Sequence, residues 1–260
     1  MKLKLALLKN QAGQSVVETL LAAPFVLFLI FGIIEFALIY RAKVTLNHAT
    51  EMTARAGALN HGCKSAMYDQ FARSMTPLLM TGDRSTQRYL TVQTYKDTFF
   101  DIYTHIKTLH PTRAVFDAFA EPIPLTAGQI RPCAQEGSRG RLHPYQLNQV
   151  IPNDNLSFRD SRNKTINDGQ AYQLNLQDAN LLKIRIRYCH KLSVPLLDHL
   201  IVAVQHWIVS NDKQAFLDYC IRGNGAQGIP VVDEKLLVLT AHATTRMQTP
   251  FIRKSLERNR

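Results

Sequence analysis

The residues whose types could do chemistry do not assemble into a catalytic motif. The string Gly223-Asn-Gly225-Ala-Gln-Gly228 has the spacing of a dinucleotide fingerprint, but that fingerprint requires a helix to open directly after it. Here Ile229-Pro230 follows, so the pattern predicts a loop before a strand. The nine His residues are scattered without an HExxH motif, and no GxSxG nucleophile elbow is present. We therefore expect no catalytic residue, no metal site and no cofactor.

The four cysteines are Cys63, Cys133, Cys189 and Cys220, and no two of them form a CxxC pair. This spacing excludes the usual zinc-ribbon and thioredoxin signatures. If the body of the chain is exported, its compartment permits disulfides, and four cysteines allow three pairings. We favour a Cys189–Cys220 bond because both residues flank a predicted sheet. The alternative is that the cysteines are buried free thiols.

One apolar segment dominates the first sixty residues. From Leu20 to Ile39 the only charged residue is Glu35, and roughly 18 apolar residues suffice to cross a bilayer as a helix. A cleaved secretory signal is rejected because its apolar region is only about 7–15 residues long and ends at a small-x-small site. Three lysines precede the segment and two cations, Arg41 and Lys43, follow it. This distribution favours a cytoplasmic amino terminus and an exported body.

The start of this segment has the spacing of a processing site. Gly13 is followed five residues later by Glu18, at the mouth of the predicted span, and prepilin peptidases cut after Gly at such junctions. Gly lets the backbone extend where a larger residue would obstruct a protease cleft. Cleavage would leave Gln14 as the amino terminus, and the ammonium of a neighbouring subunit would compensate Glu18 at the bilayer edge. The alternative is a chance loop Gly and a first-turn acid favoured by the helix dipole.

Taken together, these residues and the later run Phe31-Gly32-Ile-Ile-Glu35-Phe36 resemble the TadE-like family, which comprises minor pilin-like proteins of the bacterial tight-adherence (Flp pilus) machinery. The family pattern is a short basic leader, a Gly, a Glu five residues on, a Pro in the first membrane turns and a second Gly-x-x-Glu-Phe. All of these are present, with Pro24 as the proline. The resemblance resumes at 179–188, 194–196 and 239–247. Major type IV pilins begin with an aromatic residue, whereas Gln14 stands here, which argues against the main fibre subunit.

The resemblance implies a non-enzymatic minor pseudopilin that takes part in assembly of a Flp-type pilus or a related secretion apparatus. Glu18, Pro24 and Glu35 would be its assembly residues. Glu35 would either contact a partner helix within the membrane or lie at the exported interface where water reaches it. Pro24 would either contribute to such contacts or only kink the helix.

The partners implied are the prepilin peptidase, other minor pilins, the major Flp pilin, an inner-membrane assembly platform and the lipid of the inner membrane. The protein would be a single-pass protein of the bacterial inner membrane with a periplasmic head. Whether it also enters a surface pilus stays open.

The expected fold is α+β, with a long N-terminal transmembrane and stalk helix followed by a pilin-like globular head that contains a small antiparallel sheet. Strict alternation of apolar and polar residues predicts a strand at 181–190, alternation also indicates one at 103–109, and a second strong strand is expected at 235–244. Helices are expected at 65–80, 85–100, 112–120 and 196–209. The exported helix should present the apolar positions Val44, Leu46, Ala49, Met52, Ala56 and Leu59, and end at Asn60-His61-Gly62.

The expected organisation has five parts. In chain order they are a leader at 1–13, a transmembrane helix at 14–40, a stalk helix at 41–60, a head at 61–250 with a long irregular loop at 121–175, and a basic tail at 251–260.

The composition of the 260 residues, 46% hydrophobic and 8% aromatic, excludes a disordered chain and a polytopic membrane protein. The net charge of +11 suits an acidic partner surface. Arg185 and Arg187 on one strand face, with the arginines of the 121–175 loop, could contact DNA, lipopolysaccharide or anionic phospholipid. Interleaved aromatic residues are missing, so we favour a solvated basic face and expect no nucleic-acid partner.

Two other functions stay open. One is an unprocessed single-pass periplasmic binding protein that uses the basic loop for anionic ligands. The other is a general-secretion pseudopilin, which leaves the second Gly-x-x-Glu-Phe unexplained.

Overall fold

The computed structural model describes residues 14–79, 104–123, 125, 149–194, 197–208 and 236–253. A long N-terminal apolar helix precedes a globular region that mixes helices with small antiparallel sheets, which confirms the expected α+β class. The leader at 1–13, the helix expected at 85–100 and the tail beyond 253 lie outside the described residues.

The described elements alternate between helices and short strands. The helices are α1 (Gln14–Leu59), α2 (Lys64–Leu79), α3 (Arg113–Phe119), α4 (Leu176–Ala179) and α5 (Leu197–Ile208), with a 3-10 turn at Leu156–Phe158. The strands are β1 (Thr104–His110), β2 (Glu121–Pro122), β3 (Gln149–Ile151), β4 (Lys164–Asp168), β5 (Gln170–Leu174), β6 (Leu181–Lys191), β7 (Leu236–Arg246) and β8 (Phe251–Ile252).

The two halves of helix α1 lie in different environments, one exposed and one packed in the head. Its side chains from Val16 to Ile34 are almost all exposed, whereas from Glu35 onwards one stripe is buried in the head. The buried members are mostly small: Glu35, Ala42, Leu46, Ala49, Thr50, Thr53, Ala54 and Ala58. This half of α1 packs against α2, β6 and β7. Residues 41–60, expected as a stalk, thus continue the long helix and pack within the head.

The face that α1 buries agrees only in part with the expected one. Leu46 and Ala49 are fully buried as expected, whereas Val44 and Leu59 are 48% and 54% exposed. The polar residues Thr50 and Thr53 are fully buried as well. Each Thr hydroxyl donates to the carbonyl oxygen four residues earlier at 2.7 Å, so its burial leaves no unsatisfied donor.

The tight approach of α1 is clearest at Gly57. A Cβ added there would lie 2.9 Å from Leu182 Cδ2 and 3.0 Å from Met67 Sδ, closer than ordinary contact. Leu182 belongs to β6 and Met67 to α2, so the helix touches both neighbours at this point. A side chain at position 57 would require the Leu182 or Met67 side chain to move.

The main sheet has the strand order β1-β6-β7 and is antiparallel throughout. The central strand β6 buries Leu182, Ile184 and Ile186 in the same apolar core as α1. The strands expected at 103–109, 181–190 and 235–244 agree with β1, β6 and β7 to within two residues.

The stretch at 121–175 is not irregular throughout, as the sequence had suggested. Strand β3 pairs with β2 and β8 in a second sheet, and β4 and β5 form a hairpin. Gly169 makes the turn with a φ of +83°, a conformation that suits Gly. Both hairpin strands are rich in polar residues, which hid them from an apolar-period search. Residues 126–148 lie outside the described part of the chain.

The far end of α1 is closed by the segment after β7. The carbonyl oxygen of Ala58 accepts hydrogen bonds from the backbone N–H groups of Gln248 and Thr249 at 3.1 and 3.2 Å. This provides partners for a carbonyl in the last turn of the helix, where intrahelical donors are missing. Helix α1 ends at Leu59, and Gly62 beyond it has a φ of +75° and packs beneath the ring of Phe251.

Candidate membrane and assembly site

The exposed part of α1 has the length of a membrane span. From Gln14 to Ile34 the helix is ~30 Å long at about 1.5 Å per residue, which equals the usual thickness of the hydrocarbon core. Within the described residues, α1 is the one helix long and apolar enough to cross a membrane, and only 6% of its most apolar stretch is buried. The low burial distinguishes it from the core helix of a globular protein. This apolar helix suggests single-pass membrane anchoring.

Glu35 marks the point where α1 enters the head. Its side chain is 1% exposed, and its carboxylate accepts backbone N–H groups from the segment that follows β6. Ser193 N lies 3.2 Å from Oε1 and Val194 N lies 3.0 Å from Oε2. Hydrogen bonds to an ionised group are strong, and they offset part of the cost of burying a carboxylate. We call this set of contacts the Glu35 clasp.

The clasp gives Glu35 a contact that the sequence did not suggest, because both carboxylate oxygens accept hydrogen bonds from the backbone of the same chain. A contact between Glu35 and a partner helix stays a prediction. A water-exposed position is contradicted by the burial of the side chain. The sequence pattern singled out Glu35 and also Val194-Pro195-Leu196. Glu35 and Ser193 are 158 positions apart, however, so no local spacing connects the two sites.

The other assembly residues lie along the exposed span. Glu18 is exposed near the start of α1, and Pro24 lies inside the helix without ending it. Glu18 is ~25 Å from Glu35 along the helix axis, so the two acids act at separate levels. Gln14 is the first residue of α1, whereas Gly13 lies outside the described residues. The roles of Gly13, Gln14, Glu18 and Pro24 stay predictions.

A notch interrupts the apolar surface of the span. No heavy atom lies within 4 Å of the position that a Cβ on Gly32 would occupy. The surrounding groove is lined by Phe28, Leu29, Phe36 and other apolar side chains of the same helix. A small residue between large ones lets a second helix approach closely within a bilayer, where packing drives association.

The two described cysteines are both disulfide-bonded. Cys63 and Cys189 are 1% and 0% exposed, and neither is a free thiol. Cys133 and Cys220 lie outside the described residues. The Cys189–Cys220 pairing therefore stays a prediction.

The basic residues of the sheet do not form a wholly solvated face. Arg187 is only 6% exposed and Arg185 is half-buried, so the expected solvated face is wrong at these positions. In the register of the sheet, His242 lies opposite Arg185, while His190 lies opposite Leu237. The two histidines therefore do not face each other. Among the described residues, no group of three or more His, Cys, Asp or Glu side chains could hold a metal ion.

The described arginines of the 121–175 stretch are paired with carboxylates. Arg159 contacts Asp154 at 2.5 Å and Glu121 at 2.7 Å. These hydrogen bonds raise the pKa of the Arg159 guanidinium, and the bond from Arg159 lowers the pKa of Asp154. Arg162 forms a similar pair with Asp160 at 2.8 Å. These arginines are locally neutralised, which weakens the expectation of an open site for anionic ligands.

Comparison with known proteins gives one match. Residues 13–55 match the model of the TadE family, described as TadE-like protein. The matched segment contains Gly13, Glu18, Pro24 and Glu35, which are the residues that carried the resemblance. The match confirms that resemblance for the N-terminal region. Neither the comparison with curated proteins nor that with solved structures found a match.

Proposed function

We propose that this protein is a non-enzymatic minor pseudopilin that takes part in assembly of a Flp-type pilus or a related secretion apparatus. The TadE-like match over residues 13–55 carries the proposal, since it covers both the processing junction and the exposed span. Proteins of this pilus-associated family are typically structural rather than catalytic.

The proposed role assigns a task to each end of the exposed span. The prepilin peptidase removes the leader after Gly13, which leaves the ammonium of Gln14 next to Glu18. In the inner membrane, the Glu18 carboxylate of one subunit binds the amino terminus of its neighbour, because a carboxylate at the bilayer edge is costly without a cation. The notch at Gly32 favours close lateral packing with the helix of another minor pilin or of the major Flp pilin.

The Glu35 clasp has a different task from the one expected of it. By holding Ser193 and Val194, it fixes the head to the end of its own span. The orientation of the periplasmic head is then set by the membrane helix. Contacts between heads can therefore add to contacts between spans when the subunit meets the assembly platform.

The test is complementation of a strain that lacks this protein, scored by surface pili. We expect Glu18→Gln to abolish or strongly reduce pili, because the amide cannot neutralise a neighbouring ammonium. Glu51→Gln is the matched control, since it makes the same change at an exposed position of the same helix within the head. Both variants should accumulate in membranes at the wild-type level.

Two outcomes would contradict separate parts of the proposal. Normal pili in the strain without the protein would overturn the role in pilus assembly. Normal pili with Glu18→Gln would overturn only the charge pairing at the start of the span. Cross-linking of the wild-type protein to other pilins in native membranes then identifies which subunits contact it.

A further inference from the structure

The Glu35 clasp determines where helix α5 begins. Ser193 and Val194 are held at the level where α1 leaves the head, and α5 starts three residues later at Leu197. Helix α5 contacts both α1 and β7. The exposed ~30 Å of α1 ends at the same level. An anchored α1 therefore brings the start of α5 to the surface of the bilayer.

Helix α5 has more apolar surface than the head covers. Leu197 is 6% exposed and packs into the head, whereas Leu200 and Val204 are 52% and 45% exposed. Residues four apart on a helix lie on the same face, so Leu200 and Val204 form one exposed apolar strip. Polar residues, among them Asp198 and His199, occupy other positions around the helix. We call Leu200 and Val204 the α5 strip.

The clasp that precedes the α5 strip also has exposed apolar residues of α1 beside it. Phe36 and Tyr40, just past the clasp, are 72% and 66% exposed and are also four residues apart. Tyr is enriched where a protein crosses from lipid to water, because its ring is apolar and its hydroxyl is polar. Lipid is thus the occupant that explains both sets of exposed apolar side chains.

We infer that α5 is a membrane-surface helix, whose strip of Leu200 and Val204 inserts into the interface of the leaflet from which α1 emerges. Amphipathic helices of this kind bury their apolar face about 5–10 Å into the boundary between headgroups and acyl chains. The protein then has two contacts with the membrane, a span and a surface helix. The two contacts together restrict rotation and tilt of the head. The inference rests on the anchoring of α1 and is independent of a role in pili.

The single tryptophan of the chain, Trp207, lies in α5 and supplies the probe. The full-length protein is reconstituted into phosphatidylethanolamine–phosphatidylglycerol vesicles, with or without bromine on the acyl chains, which quenches tryptophan at short range. We expect Trp207 to lose most of its fluorescence in the brominated vesicles. The double variant Leu200→Asp, Val204→Asp should restore most of that fluorescence.

Leu59→Asp is the matched control, because Leu59 is 54% exposed and lies at the opposite end of the head. It should leave the quenching at the wild-type level. Equal Trp207 fluorescence in both kinds of vesicle, with the wild-type protein floating alongside them, would overturn the inference while leaving the anchor intact. Failure to float with vesicles would overturn the anchoring and the inference together. Since the first comparison uses the wild-type protein, it does not depend on the folding of any variant.

Discussion

A buried carboxylate links the end of the exposed half of α1 to the segment after β6. Glu35 has its two oxygens shared between the backbone N–H groups of Ser193 and Val194 and is almost fully buried. Removing an acceptor of this kind leaves buried donors without partners, which costs about 1–3 kcal/mol. The clasp therefore contributes to the stability of the head. It also lies where the exposed half of α1 ends.

We expect Glu35→Ala to lower the free energy of unfolding by about 1–3 kcal/mol and to speed hydrogen exchange at the amides of Ser193 and Val194. Glu51→Ala, which removes an exposed acid from the same helix, should change neither quantity measurably. Exchange measured by mass spectrometry on the detergent-solubilised protein separates the two variants. Unchanged protection at Ser193 and Val194 in Glu35→Ala would contradict the clasp.

Gly62 is a second position at which the structure tolerates few residues other than Gly. Its φ is +75°, and an added Cβ would lie 2.3 Å from the ring of Phe251. Gly169 has a similar φ of +83° but no atom within 4 Å of an added Cβ. Substitutions at these two glycines therefore distinguish the effect of backbone strain from the effect of steric overlap.

We expect Gly62→Ala to lower the thermal midpoint of the head clearly more than Gly169→Ala does. Both variants carry the cost of a side chain at positive φ, of roughly 1 kcal/mol or more, and only Gly62→Ala adds the overlap with Phe251. Circular dichroism during heating provides the measurement. Equal midpoints for the two variants would show that the Phe251 contact is absent.

The helices and strands that could be predicted are those with a clear local pattern of apolar and polar residues. Strict alternation located β6, a second strand pattern located β7, and the spaced apolar positions followed by Asn60-His61-Gly62 located the C-terminal end of α1. The buried face of α1 was predictable only in part, because the close approach of β6 and α2 also buries Thr50 and Thr53, which an apolar pattern does not include. The β4–β5 hairpin was missed as well, since its polar strands bury little beyond Ile166.

The strands of the main sheet make the stability of the head depend on pH. Burial lowers the pKa of His190 on β6 below its ordinary 6.5, against the opposing effect of the Glu35 charge. Burial likewise lowers the pKa of His110 at the end of β1. Both histidines thus bind protons more weakly in the folded protein than in the unfolded chain. Their contribution to stability is complete above the unfolded pKa and is lost as the pH falls from there through the folded pKa.

We expect the urea midpoint of the head to fall as the pH is lowered from about 7.5 to about 5.5, and His190→Gln to make this fall smaller. His199→Gln is the control, because His199 is 72% exposed on α5 and its replacement should leave the pH dependence unchanged. Urea unfolding at several pH values measures both slopes. A slope for His190→Gln equal to that of the wild type would contradict the role of His190.

Among the described residues, hydrogen bonds attach the head to α1 along the length of its second half. Glu35 binds Ser193 and Val194, the Lys43 ammonium donates to the carbonyl oxygen of Thr240, and Ala58 accepts from Gln248. These contacts extend over ~35 Å of the helix at about 1.5 Å per residue. The second half of α1 is therefore part of the head, and a displacement of the span moves the head with it.

This architecture could be predicted only in part from the sequence. The anchor and the processing junction depend on residues close together in the chain, and the TadE-like match covers the same segment. The closure of the head at both ends of α1 joins residues separated by 158 and more positions. Such contacts have no local signature in a single sequence. For this reason the sequence did not predict that residues 41–60 pack within the head, or that Glu35 binds the backbone of its own chain.

Processing of the amino terminus is the central claim about function. The intact mass and N-terminal sequence should be measured on protein from native membranes, with and without the prepilin peptidase. We expect a mature chain that begins at Gln14, and an uncleaved chain when the peptidase is deleted or when Gly13 is replaced by Leu. A chain that still begins at Met1 in the presence of the peptidase would contradict the pseudopilin function, and the protein would then be an unprocessed membrane-anchored domain.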